Sequence, residues 1–282
     1  MFTEHHNGTA IHRFDIFSDT LLCGVSGRSG GVSTGCYASL NLGLHVGDEH
    51  DRVLENRRRL CLAAGIDAHR LVIGEQVHGG VVRIVSTADA GRGAVDHASS
   101  IGGADGLVTA DPLLPLMAFS ADCPLVILHD PRANVLGVVH ASWRSAAAGI
   151  VATAVRDMAS CGASPARIRA AVAPCVGKCC YEVRDDFINI ILHSAIDAAE
   201  RYIELREGRS FFDVRAAVIG LLRASGLADR SVEAAEVCTA CSTNAFYSHR
   251  ASGGTHGGKT GRFAAFAQMC IPARQPIPAG TQ

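Results

Sequence analysis

Short apolar runs alternate with polar, glycine-rich segments along the chain, and each run predicts a buried strand or one face of a helix. A strand opens at Leu21 and gives way to a turn-rich loop that extends to Gly35. Later runs typical of strands cover residues 71–74, 81–85, 105–109, 125–129, 135–140 and 168–173, and a last strand-like piece leads to Cys238. Turn residues 130–134 join two of these runs and predict a hairpin.

Helical periodicity appears in four segments. Val53, Leu54, Leu60 and Cys61 fall on one face of a helix over residues 51–64, with Gly65 as the glycine that ends it. Residues 146–159, 184–199 and 213–225 predict three further helices. The polar segment 87–103 predicts an exposed loop, and the proline-rich residues 272–282 predict a loose tail after a single domain over residues 1–271.

Two of the apolar runs end in side chains that carry chemistry. Cys123 and His140 lie at strand ends joined through the predicted hairpin, and His78 lies in a turn between two other strands. A thiolate with two imidazoles is a suitable ligand set for zinc or a soft copper ion, with the fourth position open for catalysis. The simpler alternative is a packing thiol with two hydrogen-bonded turn histidines.

Composition restricts the possible partners. The 282 residues are 48% hydrophobic and can bury a large core. Lys and Arg number 26 against 27 Asp and Glu, so the sequence lacks the basic field that binds nucleic acid, and a small neutral or anionic ligand is favoured. The eleven cysteines are irregularly spaced, and neither a signal-type nor a membrane-spanning apolar segment is found, which predicts a cytoplasmic protein without a membrane role.

A family resemblance supports the metal-site hypothesis. The motifs that carry it run in order from about Asn41 to Arg262 and comprise residues 76–79 (QVHG), 104–106 (ADG), 120–124 (SADCP), 139–144 (VHASWR), 174–183 (PCVGKCCYEV), 238–241 (CTAC) and 258–262 (GKTGR). Together they resemble the laccase-domain family, first described as polyphenol oxidases and now associated with purine nucleoside phosphorylase and adenosine deaminase activities.

The resemblance implies a fold and a metal site. It implies an α+β fold, a layered α/β/β/α arrangement with mixed sheets in one large domain. The expected assembly is a monomer or small homo-oligomer. It also implies that His78, Cys123 and His140 are the metal ligands and act in catalysis, on a purine nucleoside and phosphate as substrates.

The chain departs from the family pattern at three positions. Ser142, Ser145 and Ala173 stand where the family commonly has glycines. A side chain at such places is expected to narrow the pocket or to add a hydroxyl, which would alter substrate preference rather than the metal ligands.

The pattern of histidines restricts the reaction type. A multicopper oxidase needs paired His-x-His arrangements, and the thirteen histidines of this chain form none. A single Cys-His-His site suits zinc as a Lewis acid and water activator, which fits deamination, although copper remains possible because of its higher intrinsic affinity.

Phosphorolysis additionally needs an anion site. Arg57 and Arg144 are the candidate phosphate-binding residues, with Asn41 as a hydrogen-bonding partner. Asp122 is expected to orient a ligand histidine or to act as an acid or base.

Three other functions stay open at this point. A metal-free cysteine hydrolase would use Cys123 as nucleophile and His140 as base. The other two are a copper-dependent polyphenol oxidase and a binding or regulatory protein that keeps the fold and the metal without turnover.

Two further motifs point elsewhere. Residues 253–260 satisfy the P-loop pattern, but too little chain follows Thr260 for the rest of a nucleotide-binding sheet, so they predict a glycine-rich loop at the pocket or at a subunit interface. Cys238 and Cys241, with Cys175, Cys179 and Cys180, would suit a structural zinc site or a redox pair, although buried packing cysteines are the favoured interpretation.

Overall fold

The computed structural model describes residues 1–6, 8–17, 21–253 and 257–270. In this part of the chain the strands are β1 (Phe2–His6), β2 (Thr9–Arg13), β3 (Leu21–Ser26), β4 (Val72–Ile73), β5 (Val82–Ile84), β6 (Gly106–Thr109), β7 (Leu116–Ser120), β8 (Leu125–Asp130), β9 (Val135–His140), β10 (Arg169–Val172), β11 (Glu182–Val183), β12 (Ile203–Arg206), β13 (Arg209–Phe212), β14 (Val232–Ala234) and β15 (Phe263–Met269). The α-helices are α1 (His50–Ala64), α2 (Trp143–Ala147), α3 (Ile150–Ser160), α4 (Asp185–Leu192), α5 (Val214–Ala224) and α6 (His249–Ser252).

The strands form three sheets. The first sheet has six strands in the order β1-β2-β3-β15-β7-β4, the second has six in the order β14-β10-β8-β9-β6-β5, and the third has three in the order β11-β13-β12. Most neighbours are antiparallel, but β4 pairs with β7, β10 with β14 and β5 with β6 in parallel. The two large sheets are therefore mixed, as predicted.

The side chains of β7 show how the layers stack. Because successive side chains of a strand point to opposite faces, Met117 and Phe119 pack in one apolar cluster with Leu60 of α1, whereas Leu116 and Ala118 pack between the two large sheets. The other face of the second sheet packs against α3 and α5. The order of layers is helix, sheet, sheet, helix, which confirms the predicted α/β/β/α arrangement. In the described residues no helix is long and apolar enough to cross a membrane.

Most predicted elements are confirmed within one to three residues at each end. Helix α1 ends at Gly65, whose φ of 72° is the left-handed conformation that favours glycine. Strands β8 and β9 pair in an antiparallel hairpin, as the turn residues predict. Helix α5 begins after Asp213, whose side chain accepts a hydrogen bond from the backbone N–H of Ala216 at 2.9 Å.

Two predicted helices differ from the observed ones. The predicted helix over residues 146–159 is split into α2 and α3 because Gly149 has a φ of 81°. The predicted helix over residues 184–199 ends as α4 at Leu192. The hydroxyl of Ser194 donates to the carbonyl of Ile191 and accepts from the backbone N–H of Ile196, which stabilises a turn instead of a further helical turn.

The sequence does not predict β1, β2, β11, β12, β13 or the central strand β15. Strand β15 pairs with β3 on one side and β7 on the other, and all seven of its residues are buried. A run rich in alanine does not distinguish a buried strand from a helix segment by its periodicity. The predicted tail, residues 272–282, lies outside the described residues.

Candidate active site

The three predicted metal ligands come together at strand ends. His78 lies in the loop after β4, Cys123 in the turn between β7 and β8, and His140 is the last residue of β9. The hairpin register places Leu125 opposite His140, which brings the preceding turn beside the imidazole. One ligand atom from each of the three residues lies within 4.8 Å of the other two. The two imidazole rings meet edge to face, with centroids 4.9 Å apart.

Asp105 holds two of these ligands in place. Its buried carboxylate accepts hydrogen bonds from the backbone N–H groups of Val77 (3.1 Å), His78 (3.0 Å) and Gly79 (2.7 Å). The same carboxylate lies 2.8 Å from Nδ1 of His140. Nδ1 of His140 therefore carries the proton, and Nε2 is left to face the Cys123 thiol. Asp105 belongs to the motif at residues 104–106, but the sequence does not predict this role.

The ligand residues perturb each other's protonation. Burial would raise the pKa of the Cys123 thiol, but hydrogen bonds with His140 and His78 lower it to about 6. Burial would lower the pKa of His140, but hydrogen bonds with Asp105 and Cys123 raise it to about 9. The site thus favours a thiolate, which is the form of cysteine that binds metals and attacks electrophiles.

The geometry and the donor set fit a metal ion. Zinc with ligands at about 2.0–2.3 Å places the ligand atoms of a tetrahedral site roughly 3.3–3.8 Å apart, a spacing that small side-chain movements reach from the 4.8 Å limit observed here. A carboxylate on the second nitrogen of a ligand histidine is the usual outer-shell partner. The residues suit zinc or copper equally on these grounds.

Asp122 has a different position from the one expected. Its carboxylate accepts a 2.6 Å hydrogen bond from the Thr239 hydroxyl and another of 2.6 Å from the backbone N–H of Arg250. The carboxylate that orients a ligand histidine is Asp105, which corrects that part of the expectation for Asp122. Asp122 has a φ of 102°, a conformation that is uncommon for a residue with a side chain. The chain makes a sharp turn here, directly before Cys123.

A cleft of about 690 Å³ opens over the ligand cluster. This volume is typical of sites for small molecules. Its lining includes the three ligands, the aromatic residues Phe119, Trp143 and Tyr181, the basic residues His45, Arg144, His249, Arg250 and Arg262, and also Gln76, Asp122, Val176 and Gly253. Gly253 is the first residue of the predicted glycine-rich loop, and residues 254–256 of that loop lie outside the described residues.

Of the two candidate arginines, Arg144 lies in the cleft. Its guanidinium stacks 4.3 Å from the centroid of the Trp143 ring and is exposed to solvent. Sequence reasoning did not single out Arg250 and Arg262 as substrate-binding residues, although Arg262 ends the last family motif. The guanidinium of Arg262 donates to the carbonyls of Thr260 and Gly261, and burial lowers its pKa.

Arg57 and Asn41 lie one layer behind the cleft wall. The Arg57 guanidinium is buried, stacks 4.9 Å from the Phe119 ring and donates to the carbonyls of Leu42, Gly93 and Ala94 at 2.7–2.9 Å. Asn41 accepts a hydrogen bond from the backbone N–H of Arg262 at 2.9 Å. Both residues therefore support side chains that line the cleft.

The two serines at positions where the family resemblance predicts glycines also lie behind the cleft. Ser142 and Ser145 are buried, and their hydroxyl oxygens are 2.7 Å apart. The Ser142 hydroxyl also accepts the backbone N–H of Ser145 and caps α2. Ala173 packs between the two large sheets. The added hydroxyls therefore stabilise the start of α2.

The fold and the ligand cluster define a class of mixed α/β proteins with one Cys-His-His centre at the edge between two sheets. Residues 22–270 match the family described as multi-copper polyphenol oxidoreductase laccase. This chain belongs to that family, as the sequence motifs predicted.

Relatives and solved structures agree with this assignment. Purine nucleoside phosphorylase YlmD of Geobacillus stearothermophilus is 35% identical over 251 residues, which cover 87% of this chain and 89% of the relative. A purine nucleoside phosphorylase of Deinococcus radiodurans is 38% identical over 251 residues, 88% of each chain. The crystal structure of YlmD from Geobacillus stearothermophilus superimposes with a TM-score of 0.88 at 33% identity over 96% of this chain and 99% of that chain. The Bacillus licheniformis protein YfiH gives 0.87 at 30% identity over 94% of this chain and 97% of that chain.

Proposed function

We propose that this chain is a metal-dependent purine nucleoside phosphorylase. It would convert adenosine, inosine or guanosine, with phosphate, into the free base and ribose 1-phosphate, and methylthioadenosine into adenine and 5-methylthioribose 1-phosphate. The observation that carries the proposal is the opening of the His78, Cys123 and His140 cluster into a cleft whose wall holds several arginines. The names of the relatives support it.

The arginines of the cleft are suited to phosphate. Phosphorolysis requires an oxygen of inorganic phosphate to attack the anomeric carbon of the ribose, while the glycosidic C–N bond breaks and the purine leaves with the bonding electrons. Guanidinium groups bind phosphate through paired N–H donors and keep their charge at neutral pH. Arg144, Arg250 and Arg262 would hold the nucleophile in this way, with Arg262 fixed in place by two backbone carbonyls.

The rest of the cleft suits a nucleoside. Phe119, Trp143 and Tyr181 offer flat apolar surface on which a purine can stack. His45 also lines the cleft, and a neutral imidazole there can both donate and accept a hydrogen bond.

The metal would be held by His78, Cys123 and His140. When bound there, zinc would supply a Lewis acid with an open coordination position at the cleft wall, and copper is the alternative ion. Asp105 keeps Nε2 of His140 directed to the cluster by holding the proton on Nδ1. We extend the proposal to deamination of adenosine, in which water replaces the exocyclic amino group of a purine bound in the same cleft.

The test is product analysis with adenosine and inosine, with and without phosphate, alongside metal analysis of the wild type and of Cys123→Ala. We expect free base to form only when phosphate is present. In Cys123→Ala, both this activity and the metal of this site should be lost. Inosine formed from adenosine without phosphate would establish the deaminase. Free base released equally without phosphate would overturn the phosphorylase proposal.

One observation favours a second candidate. The low pKa of Cys123, about 6, and the neighbouring imidazole of His140 would also suit a metal-free cysteine hydrolase. Activity that survives chelation but is abolished by thiol alkylation would favour this candidate. Loss of activity on chelation, with recovery on readdition of zinc, would favour the phosphorylase.

A further inference from the structure

A second group of side chains suited to a metal lies beside the cleft. Cys179, Cys180, Cys238 and Cys241 place their four Sγ atoms within 4.8 Å of one another. Cys179 and Cys241 are exposed, which corrects the expectation that these cysteines are buried packing residues. That expectation is confirmed for Cys175, which is fully buried in the core.

We propose that these four thiols form a structural zinc site. Zinc bonded to four thiolates at about 2.3 Å places neighbouring sulfurs about 3.8 Å apart. Here Sγ of Cys241 lies 3.6 Å from Sγ of Cys179 and 3.4 Å from Sγ of Cys180. A single tetrahedral ion fits this spacing, whereas an iron–sulfur cluster attaches its thiolates to several irons and needs them farther apart. Zinc binding would release the thiol protons to solvent.

The backbone around the cluster is shaped to serve the sulfurs. The N–H of Gly177 donates to Sγ of Cys238 at 3.2 Å, and hydrogen bonds of this kind orient metal ligands and stabilise thiolates. A Cβ atom at position 177 would lie 3.2 Å from Sγ of Cys179 and 3.5 Å from Sγ of Cys238. Glycine at this position therefore lets the backbone approach the thiols closely.

The site would join two segments that are distant in sequence. One segment precedes β11 and the other follows β14. The backbones of Cys175 and Cys238 already pair in an isolated parallel β-bridge between the two segments. Val176 and Tyr181 of the first segment line the cleft. Thr239 of the second segment donates to Asp122, directly before the ligand Cys123. Zinc would therefore stabilise the cleft wall without touching the reacting groups, and it would do so whatever reaction the cleft performs.

Metal stoichiometry tests the proposal independently of turnover. The full chain is purified under reducing conditions, exchanged into zinc-containing and then zinc-free buffer, and analysed for zinc, copper and iron. We expect about two zinc ions per chain in the wild type and about one in Cys241→Ser, Cys179→Ser or Cys123→Ala. The double variant Cys123→Ala with Cys241→Ser should lose both. Cys161→Ser, which replaces a half-buried free cysteine at the end of α3, is the matched control and should keep both.

Cobalt loading gives a second readout that needs no substitution in the cluster. Cys123→Ala loaded with Co²⁺ should show the thiolate-to-cobalt charge-transfer absorption of a tetrahedral thiolate site, and zinc should displace it. The proposal would be overturned if Cys241→Ser and Cys179→Ser kept the metal content of the wild type and Cys123→Ala showed no cobalt charge-transfer absorption. Formation of a disulfide by two of these four thiols in air-equilibrated, metal-free buffer, reversed by reductant and not prevented by zinc, would instead identify a redox pair and also overturn the proposal.

Discussion

Nδ1 of His140 lies 2.8 Å from Oδ1 of Asp105, and this contact links the ligand at the end of β9 to the loop that carries His78. The link exists because the same carboxylate accepts three consecutive backbone N–H groups of that loop. Asp105 therefore fixes both the tautomer of one ligand histidine and the backbone of the other, and it does so without contacting the metal position.

Replacement of Asp105 by asparagine should weaken metal binding. The amide can accept through only one oxygen, and its NH2 group would face N–H donors in the loop or at His140. Loss of such a partner typically lowers metal affinity about 10–100-fold. Competition with a chromophoric zinc chelator measures the change.

Asp111→Asn is the matched control for this experiment. Asp111 also accepts a backbone N–H, that of Thr87 at 2.6 Å, but at the surface and away from the cluster. Zinc affinity in Asp105→Asn equal to that of Asp111→Asn would contradict the role given to Asp105.

Asp122→Asn distinguishes a positioning role from acid–base catalysis. Both carboxylate oxygens of Asp122 already accept short hydrogen bonds, from Thr239 and from the backbone of Arg250. The variant should raise the KM for the nucleoside and lower Tm, because it loosens two segments of the cleft wall, while the pH profile of kcat keeps its shape. Thr239→Val removes one donor without altering the carboxylate and should give the same pattern more weakly. Loss of one limb of the kcat profile in Asp122→Asn alone would show that the carboxylate moves a proton.

The ligand triad could be predicted from the sequence because Cys123 and His140 each end an apolar run, His78 lies in a turn between two strands, and the family resemblance implies that all three are ligands. Cys123 and His140 lie at the two ends of a hairpin that the turn residues 130–134 predict, and the strand register brings them together. The role of Asp105 could not be predicted from the sequence, because it depends on a loop in which His78 has a left-handed backbone conformation, with a φ of 60°. No local pattern predicts that three N–H groups of one loop converge on a carboxylate from another strand.

The differences between the predictions and the structure have separate physical causes. Strand β15 occupies the middle of the first sheet, but its alanines give the helix and strand periods equal support. The predicted helix over residues 184–199 extends beyond the observed end of α4 because the Ser194 side chain stabilises a turn there. The sequence predicts Arg57 as a phosphate ligand because it does not reveal which charged side chains are buried against backbone carbonyls.

His129 should make stability sensitive to acid. Its side chain is buried, Nε2 has no hydrogen-bond partner among the described residues, and burial lowers its pKa to about 4. Since the ordinary value is about 6.5, the unfolded chain binds more protons than the folded chain between these values, and stability falls as the pH drops from 6.5 to 4. His129→Leu should reduce the fall in Tm over this interval.

The control for His129→Leu is His69→Leu, which removes an exposed histidine. Tm measured in steps between pH 7 and pH 4 compares the two with the wild type, and the metal site contributes equally to all three. Parallel Tm curves for His129→Leu and the wild type would show that His129 does not titrate in this range.

Substitution of Arg57 should lower the stability of the fold, whereas substitution of Arg144 should weaken phosphate binding. Burial lowers the pKa of Arg57 to about 10, so it remains charged at neutral pH, and its three backbone carbonyl partners would be left unpaired in Arg57→Ala. We expect a loss of roughly 2–4 kcal/mol in the free energy of unfolding. Arg144 is exposed in the cleft, so Arg144→Ala should leave Tm nearly unchanged and raise the KM for phosphate.

Denaturant unfolding and phosphate titration of both variants measure the two effects. Arg144→Lys keeps the charge and should recover part of the phosphate affinity. A higher KM for phosphate in Arg57→Ala at unchanged stability would restore Arg57 as a substrate ligand.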